Sequence, residues 1–571
     1  MDTDQASHHG TVPEGFFTNM PDELTSNILA FLDMKDLCQV AQTCRKMNEL
    51  AYTRSVLSKV SFEGLWPTKD TADAFARAAD AGNNEAALKY GIACLYGKRV
   101  DSDATTALKY LLQAEKLCAG TTPFVWLLFR PPWTNDTCSK ACVFQQMHAM
   151  AEDPSTDPHL AGRMYYCVAK TLELHEERDE REVVEALQKA ELMHCADAVH
   201  DLFVKDPTAY NDDEEHSFTR EKRLLQAARE CPRLRFAAIR HFTRAREMYE
   251  PKKRELFRET VELGMEKLRL RSDAPPPAQP ELDSQGKMRF ILVDWLLEVA
   301  SLKMYSIDTL HCAVDMVDRY LATRTITRRT LQLLGITCMV IAARFLEQDV
   351  VTIREAAWLT ENTYDYEDVV QMVAAVLAVA DGHVRRPSPN DYITIFAELS
   401  NVPVHIRCFM DYVSESCLLH QPTLTHAPAA LGAAIYFVSM HLVGCKSAWP
   451  SSLTSNSDLR VSHFQEEIME VFRCLFVREK ITDHRGLELR AVEDRYTRAL
   501  ERGNMLHLRF TLESQTSDNL QKTIDRHIME ERRMIRSSAQ TPTPPLSKMT
   551  SLPLHEITNV PARPPKPQFS P

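Results

Sequence analysis

The chain has 571 residues, of which 44% are hydrophobic, and a formal net charge of -12 at pH 7. At roughly 150 residues per domain, this length predicts about four domains. The negative charge argues against nucleic acid or an anionic membrane as a partner, because both require a basic surface. The chain has only 16 glycines, which disfavours a nucleotide-binding sheet with glycine-rich turns. An all-α chain is therefore predicted.

The cysteines number 15, an odd count, and they are scattered through apolar segments without paired CxxC spacing. This indicates buried thiols in a reducing compartment rather than a disulfide frame. Cys138 and Cys142 come nearest to a metal-ligand pair, but no second pair matches them, so we predict neither a metal nor a cofactor. The N-terminus lacks the pattern of a secretory signal, and we find no apolar run of about 18 residues. A cytosolic or nuclear protein without a membrane segment is expected.

A compact helical unit is predicted at residues 19–67, after a disordered N-terminus at 1–18. Pro21 suits a first helical turn, where its missing N–H costs nothing. The apolar side chains that recur at helical spacing and predict two short helices are Leu24, Ile28, Leu29 and Leu32, then Leu37, Val40, Ala41 and Cys44. A unit of about 45 residues buries little surface alone, so an apolar partner helix is expected.

This pattern, x-Pro-x-Glu-Leu-x-x-x-Ile-Leu-x-Phe-Leu-x-x-x-Asp-Leu, resembles the F-box, although Met20 and Met47 replace the leucine and tryptophan that many members carry. The resemblance implies binding to the small Skp adaptor, and through it to the cullin, of an SCF (Skp, cullin, F-box) ubiquitin ligase. The contact residues it implies are Pro21, Leu24, Ile28, Leu29, Leu32, Leu37, Val40 and Cys44. An ordinary helical hairpin is the alternative.

Small-residue helices recur between residues 68 and 270. The four segments that align loosely begin at Phe75, Tyr110, Ala186 and Leu224, with a fifth at Leu256. Such helix pairs cannot bury their faces singly, so they are predicted to stack into a short solenoid, which resembles degenerate Sel-type repeats, relatives of the tetratricopeptide array. The segment Phe124–Trp133 interrupts the pattern with two prolines. Its aromatic side chains either cap the solenoid, which we favour, or grip a ligand.

The prolines of residues 271–287 predict a stiff spacer, and the helix Met288–Val299 that follows is apolar nearly all round. One stripe on it contains Met288, Ile291, Leu292 and Trp295. A helix needs only one apolar stripe to dock on a core. The remaining apolar surface of the helix is either buried against another domain or left open for a partner.

The sequence Met-Arg-x-Ile-Leu-Val-Asp-Trp-Leu of this helix resembles the first helix of the cyclin box, and residues 310–321 and 331–344 match further cyclin-box helices. The resemblance implies tandem five-helix cyclin domains at 288–387 and 388–502, with weaker support for the second. It also implies a structural ion pair between Arg289 and Asp318.

A further implication of the cyclin resemblance is a shallow docking patch for Arg-x-Leu segments of substrate proteins. The patch residues it implies are Met288, Ile291, Leu292, Asp294, Trp295, Glu298, Leu331 and Gln332. Asp294 and Glu298 would hold the arginine of the segment, and the apolar residues would hold its leucine.

Residues 503–571 lose apolar periodicity and are predicted to be largely disordered. Two Thr-Pro pairs, Thr541-Pro542 and Thr543-Pro544, fit the minimal phosphoacceptor of proline-directed kinases. The basic run Arg526–Arg536 is either an import signal or, as we favour, a solvated helix face.

Three functions compete: an SCF substrate receptor, a cyclin that activates a kinase, and an enzyme. The motifs of common enzyme classes are absent from the sequence. Kinase-activating cyclins resemble this chain, but they anchor the kinase through a lysine and a glutamate, where this chain has Arg344 and Val373. Losing one partner of an interfacial ion pair costs about 2 to 5 kcal/mol, so no strong partnership with a cyclin-dependent kinase is expected.

The order of F-box, repeats and cyclin box resembles the F-box-containing cyclins. This implies a non-catalytic substrate receptor of an SCF ligase that acts in cell-cycle control, in the nucleus and cytoplasm, with the centrosome or centriole as a further location in that family.

Overall fold

The computed structural model describes residues 20–205 (except 98, 132, 134–137 and 176–178), 224, 226–227, 287–502 (except 458, 477–480 and 483–485) and 517–539. The regular elements in these ranges are helices, apart from isolated bridges such as Asp33 with Ser61, which confirms the all-α prediction. Several predictions lie wholly or largely outside the described residues: the N-terminus, the spacer, the repeats that begin at Leu224 and Leu256, and the Thr-Pro pairs.

Four short helices form the F-box unit: α1 Asp22–Leu29, α2 Met34–Ala41, α3 Arg45–Ala51 and α4 Arg54–Leu57. The sequence predicted fewer helices because Cys44 continues the apolar spacing of α2. In the structure Cys44 is extended, and its sulfur accepts a hydrogen bond from the Met47 N–H at 3.5 Å. It therefore caps α3 instead of extending α2.

Eight helices follow and pack in succession as hairpins. They are α5 Ala72–Ala81, α6 Asn84–Tyr96, α7 Ala104–Leu117, α8 Trp126–Phe129, α9 Cys138–Glu152, α10 Pro158–Glu173, α11 Glu180–Leu192 and α12 Ala196–Lys205. Glu115 of α7 is 1% exposed and forms an ion pair with Arg163 of α10. The same carboxylate accepts the backbone N–H groups of Phe124 and Val125 at 2.6 and 2.7 Å. A buried ion pair thus fixes the start of the segment that interrupts the repeats.

The first cyclin domain consists of five helices: α13 Lys287–Leu302, α14 Ile307–Thr323, α15 Arg328–Leu346, α16 Ile353–Leu359 and α17 Tyr366–Ala380. Arg289 of α13 donates two hydrogen bonds to Asp318 of α14, at 2.7 and 2.8 Å. Its third nitrogen donates to the Leu418 carbonyl at 2.7 Å, so this buried arginine also joins the two cyclin domains.

The second cyclin domain has five helices of its own and one that returns to the first domain. They are α18 Pro389–Leu399, α19 Val404–Leu418, α20 Pro428–Leu442, α21 Ser451–Ser457, α22 Gln465–Phe476 and α23 Ala491–Arg502. The predicted central helix is α20, which packs against α18, α19 and α22. The returning helix α23 packs against both α13 and α19.

A last helix, α24 Ser517–Ala539, lies within the tail that was predicted to be largely disordered, so the prediction is wrong for these residues. Leu520 and Ile524 are buried at 1% and 0% exposure, and Glu531 accepts the Val461 N–H at 2.6 Å. The apolar stripe is narrow, which is why the sequence pattern did not reveal it. Arg526, Arg532 and Arg533 of the basic run are exposed on this helix, as the solvated-face interpretation expects.

Among the described helices, α15 is long and apolar enough to cross a membrane. Its 18-residue window is 72% buried inside the protein, as expected for a core helix of the first cyclin domain.

Candidate docking surfaces

The F-box unit exposes a group of large apolar side chains at and just after α1. Leu24, Ile28 and Phe31 are 54%, 42% and 90% exposed. Leu24 and Ile28 are one helical turn apart and so share a face. Exposed apolar groups of this size mark interaction sites when they cluster. We call these three residues the F-box surface. Phe31 was not among the predicted contacts, although it is part of the motif that carried the resemblance.

Two of the predicted adaptor contacts, Leu29 and Leu37, are 3% and 0% exposed and belong to the core of the F-box unit. Their role in this structure is to hold the helices together. The other predicted contacts outside the F-box surface are the exposed Pro21 and Cys44 and the half-buried Leu32 and Val40.

The first cyclin-domain helix presents a half-buried apolar strip made of Met288, Ile291 and Trp295. We call it the cyclin strip. Leu292 is 5% exposed and lies against Gly335 of α15, where an added β-carbon would stand 2.6 Å from its Cδ1. Leu292 therefore belongs to the packed core beneath the surface. Of the two predicted patch residues on α15, Leu331 is 4% exposed and Gln332 is half-buried.

The prediction that Asp294 holds a substrate arginine is wrong. This residue is 1% exposed, and its Oδ1 accepts a hydrogen bond from the N–H of Ala491 at 3.1 Å. Ala491 is the first residue of α23, and a carboxylate is stabilising at a helix N-terminus. Asp294 therefore fixes α23 to α13 and is turned away from solvent.

Glu298, one turn further along α13, is exposed and faces α23. The two helices remain in contact beyond it, since Arg495 donates to Ser301 Oγ at 3.3 Å and to the Tyr305 carbonyl at 2.7 Å. The exposed Asp494 precedes Arg495. Burial and, secondly, the charge of Asp494 raise the pKa of Glu298. Sequence spacing could not identify Asp494, because helix α23 brings it from a distant part of the chain.

The repeat region covers another side of the first cyclin domain. Helix α6 packs against α17, where the ring of Tyr96 lies 6.1 Å from that of Tyr366. Arg99 pairs with Glu367 of α17 at 2.5 Å. The spacer therefore does not hold these domains apart, because they are in direct contact.

The segment Phe124–Trp133 completes this junction instead of capping the repeats alone. The Trp126 ring stacks 6.0 Å from Phe345 at the end of α15. Arg130, which is 7% exposed, donates to the carbonyls of Arg344, Glu347 and Gln348 at 2.6, 3.2 and 2.7 Å. An arginine in this position complements the negative end of a helix.

The two positions at which kinase-activating cyclins carry their kinase anchors are buried. Arg344 is 8% exposed and donates to the Leu127 carbonyl at 3.1 Å. Val373 is 2% exposed and lies one turn from Val370, which lines a small recess of the junction together with Tyr96. The chain's own repeat region thus contacts this face of the cyclin domain. Within the described residues, no group of three or more His, Cys, Asp or Glu side chains could hold a metal ion.

Comparison with protein families identifies three domains. The family described as "F-box-like" matches residues 17–63, "Cyclin, N-terminal domain" matches 258–383, and "Cyclin, C-terminal domain" matches 387–499. Among solved structures, a viral cyclin from herpesvirus saimiri aligns with 42% of this chain and 97% of that chain, at 14% identity and a TM-score of 0.32.

Similar proteins are found among vertebrates. Cyclin-F of Danio rerio is 33% identical over 496 residues, which is 84% of this chain and 63% of the relative. Cyclin-F of Homo sapiens is 30% identical over 495 residues, 84% of this chain and 62% of the relative. The chain thus spans less than two thirds of the length of these relatives. From its F-box-like domain and its two cyclin domains, we conclude that the chain belongs to the F-box-containing cyclins.

Proposed function

We propose that this chain is the substrate-recognition subunit of an SCF ubiquitin ligase that acts in cell-cycle control. The observation that carries the proposal is the presence of two separate candidate docking surfaces, the F-box surface and the cyclin strip. Their domains are linked by the hydrogen bonds of Arg324 to Ser61 and Glu63. One surface would hold the ligase and the other the substrate.

In this proposal no residue of the chain performs chemistry. The receptor would raise the effective concentration of substrate lysines near the ubiquitin thioester, which accelerates transfer without catalytic groups. Contact between the repeats and the cyclin domain would restrict the separation of ligase and substrate more tightly than a flexible spacer.

The Skp adaptor would dock on Leu24, Ile28 and Phe31, with Pro21 and Val40 at the edge. Full burial of a Leu, Ile or Phe side chain contributes about 1.5 to 3 kcal/mol, so three such side chains offset the cost of association. The cullin would be reached through the adaptor.

Substrates with an Arg-x-Leu segment would place the leucine on the cyclin strip. Glu298 and Asp494 would hold the arginine, with Asp494 in the role that the cyclin resemblance implied for Asp294. The two negative charges repel each other, and a guanidinium bound between them would relieve this repulsion. Because ordering a short peptide offsets much of the contact energy, we expect affinity in the range of about 1 to 100 μM.

The alternative is a cyclin that activates a cyclin-dependent kinase. The burial of Arg344 and Val373 at the junction argues against it, because a kinase at that face would have to displace α6 and the Phe124–Trp133 segment. We therefore propose no strong kinase partner.

Adaptor binding can be tested by purifying the chain with Skp adaptor and cullin. Phe31→Asp should abolish recovery of both, whereas Leu192→Asp, at a residue 79% exposed on α11, should not. Equal recovery with both variants would refute the adaptor contact. Robust histone-kinase activity in the wild-type purification would favour the alternative.

Substrate docking can be tested with a labelled Arg-x-Leu peptide. Trp295→Ala and the double change Glu298→Gln with Asp494→Asn should each weaken binding about tenfold or more, which is at least 1.4 kcal/mol. Unchanged affinity would remove the cyclin strip from the proposal.

We also propose residence in the nucleus, the cytoplasm and the centrosome. Imaging of the tagged full chain would contradict this if the signal were excluded from the nucleus.

A further inference from the structure

A cluster of cationic side chains surrounds Tyr96 at the junction of the repeats and the first cyclin domain. The Nζ of Lys140, in the first turn of α9, lies 4.7 Å from the centre of the Tyr96 ring. The Tyr96 hydroxyl donates to the Leu128 carbonyl at 3.4 Å, next to the Leu127 carbonyl that accepts from Arg344. Three elements distant in sequence therefore bring Lys140 and Arg344 to the same tyrosine.

The positive charges of this cluster have no carboxylate partner among the residues that the structure describes. Arg130 is satisfied by the carbonyls at the end of α15. Arg344 donates to the Leu127 carbonyl, but its buried Nε has no acceptor among the described residues. Glu367, the carboxylate that lines the adjoining recess, is already paired with Arg99. Within the described part of the chain, Lys140 and Arg344 therefore have no carboxylate partner.

A buried cation without a counter-charge costs several kcal/mol, so such sites favour an anion. Burial, and then the charge of Arg344, lower the pKa of Lys140 even though Tyr96 opposes them. Burial raises the pKa of Tyr96, but Lys140 and Arg344 outweigh it and the net pKa falls. Both directions agree with a local positive potential.

We propose that Lys140 and Arg344 bind a phosphate-type oxyanion at this junction, beside Tyr96. Lys140 and Tyr96 are half-buried, so the cluster opens towards solvent beside the recess lined by Trp66 and Tyr366. A tetrahedral dianion accepts hydrogen bonds from several directions, so it suits an ammonium and a guanidinium Nε better than a monatomic ion does. This site is independent of the proposed ligase function.

Occupancy would link the repeats to the cyclin domain, because Lys140 and Tyr96 belong to the repeats and Arg344 to α15. An anion that binds only the assembled junction stabilises the folded protein in proportion to its concentration. The oxyanion could be free phosphate or the phosphate of a phosphorylated side chain.

The test is calorimetric titration of the full chain with inorganic phosphate at pH 7.5, in a chloride buffer of matched ionic strength. We expect saturable binding that weakens about tenfold or more in Lys140→Met, a loss of at least 1.4 kcal/mol. The matched control is Lys109→Met, because Lys109 also stands over a tyrosine ring, at 4.5 Å from Tyr110, but is paired with Asp80 at 3.0 Å. That variant should bind phosphate like the wild type.

Absence of binding to the wild type, or equal binding to Lys140→Met, would overturn the proposal. Arg344→Gln provides a second readout, if circular dichroism shows that it folds, and should also lose phosphate affinity. A phosphoserine peptide is the second arm: tighter binding than inorganic phosphate assigns the site to a phosphorylated segment, and weaker binding assigns it to the free ion.

Discussion

The guanidinium of Arg324, at the end of α14, lies 3.1 Å from Oε2 of Glu85 in α6. The same arginine donates to Glu63 and to Ser61 Oγ, both at 2.8 Å. Glu85 also pairs with Lys89 at 2.8 Å. A single polar network therefore joins the end of the F-box unit, the first repeat hairpin and the first cyclin domain.

Arg324→Gln should lower the free energy of unfolding by about 1.5 to 3 kcal/mol, because hydrogen bonds to charged groups are lost while Glu85 remains largely buried. Urea unfolding followed by circular dichroism measures this. Arg45→Gln is the control, since Arg45 and Glu49 form a pair whose side chains are 94% and 66% exposed, and such pairs contribute at most about 1 kcal/mol. Equal effects of the two variants would show that the network does not fix the domains.

Asp294→Ala should destabilise the protein by about 0.5 to 2 kcal/mol, the usual cost of removing a helix cap. The loss should appear as faster amide hydrogen exchange in α23, whose first N–H bonds to this carboxylate. Glu298→Gln, one turn away and exposed, should lower neither the stability nor the protection of α23. If the amides of α23 exchanged as slowly in the Asp294 variant as in the wild type, the cap would not be what holds this helix.

Local features of the fold could be predicted from the sequence because their signals are local. The helical spacing of apolar residues and the Met-Arg-x-Ile-Leu-Val-Asp-Trp motif led to an all-α chain and a cyclin helix at Met288. The Arg289 to Asp318 contact came from the resemblance. The basic run Arg526–Arg536 was interpreted as a solvated helix face, but the sequence did not show that α24 packs on the second cyclin domain, because only one narrow side of the helix is apolar.

The roles of single positions depended on packing that spacing does not encode. Leu24 and Leu29 share a helix and a residue type, but one is exposed and the other forms the core, according to which face meets α3 and α4. Asp294 and Glu298 are one turn apart on α13. The docking of α23 makes Asp294 a helix cap and leaves Glu298 a surface carboxylate. The docking of the repeats on α17 was likewise unpredictable, since the proline-rich spacer indicated separation.

Gly382→Ala, at the junction, should lower the free energy of unfolding more than Gly444→Ala does elsewhere in the protein. Both glycines have positive φ, at +73° and +80°, so each alanine incurs a similar backbone cost of about 1 to 2 kcal/mol. A β-carbon on Gly382 would stand 2.6 Å from Cβ of Cys118 in the repeats, whereas nothing lies within 4 Å at Gly444. The difference in the free energy of unfolding, measured in urea, therefore reports on the contact alone. Equal costs would contradict a close approach there.

Glu415 of α19 provides a pH-dependent test of the second cyclin domain. It is 0% exposed, with Arg495 Nε 3.3 Å from its carboxylate. Burial raises its pKa to about 7, although Arg495 and Tyr496 oppose the shift. An unfolded glutamate titrates near pH 4.3. Between about pH 4.3 and 7 the folded state therefore holds a proton that the unfolded state has lost, so Glu415 makes the protein less stable as the pH rises.

Glu415→Gln mimics the protonated side chain at every pH. It should match the wild type near pH 4.5 and be more stable at pH 8, by roughly 4 kcal/mol at most. The difference between the two proteins is the quantity to measure, since His311 acts in the opposite direction. Burial lowers the pKa of His311 to about 4, which increases stability as the pH rises from 4 towards 6.5. Unfolding in urea at pH 4.5, 6, 7 and 8 gives the difference curve. A Gln variant less stable than the wild type at pH 8 would mean that the charged pair with Arg495 outweighs the burial of Glu415.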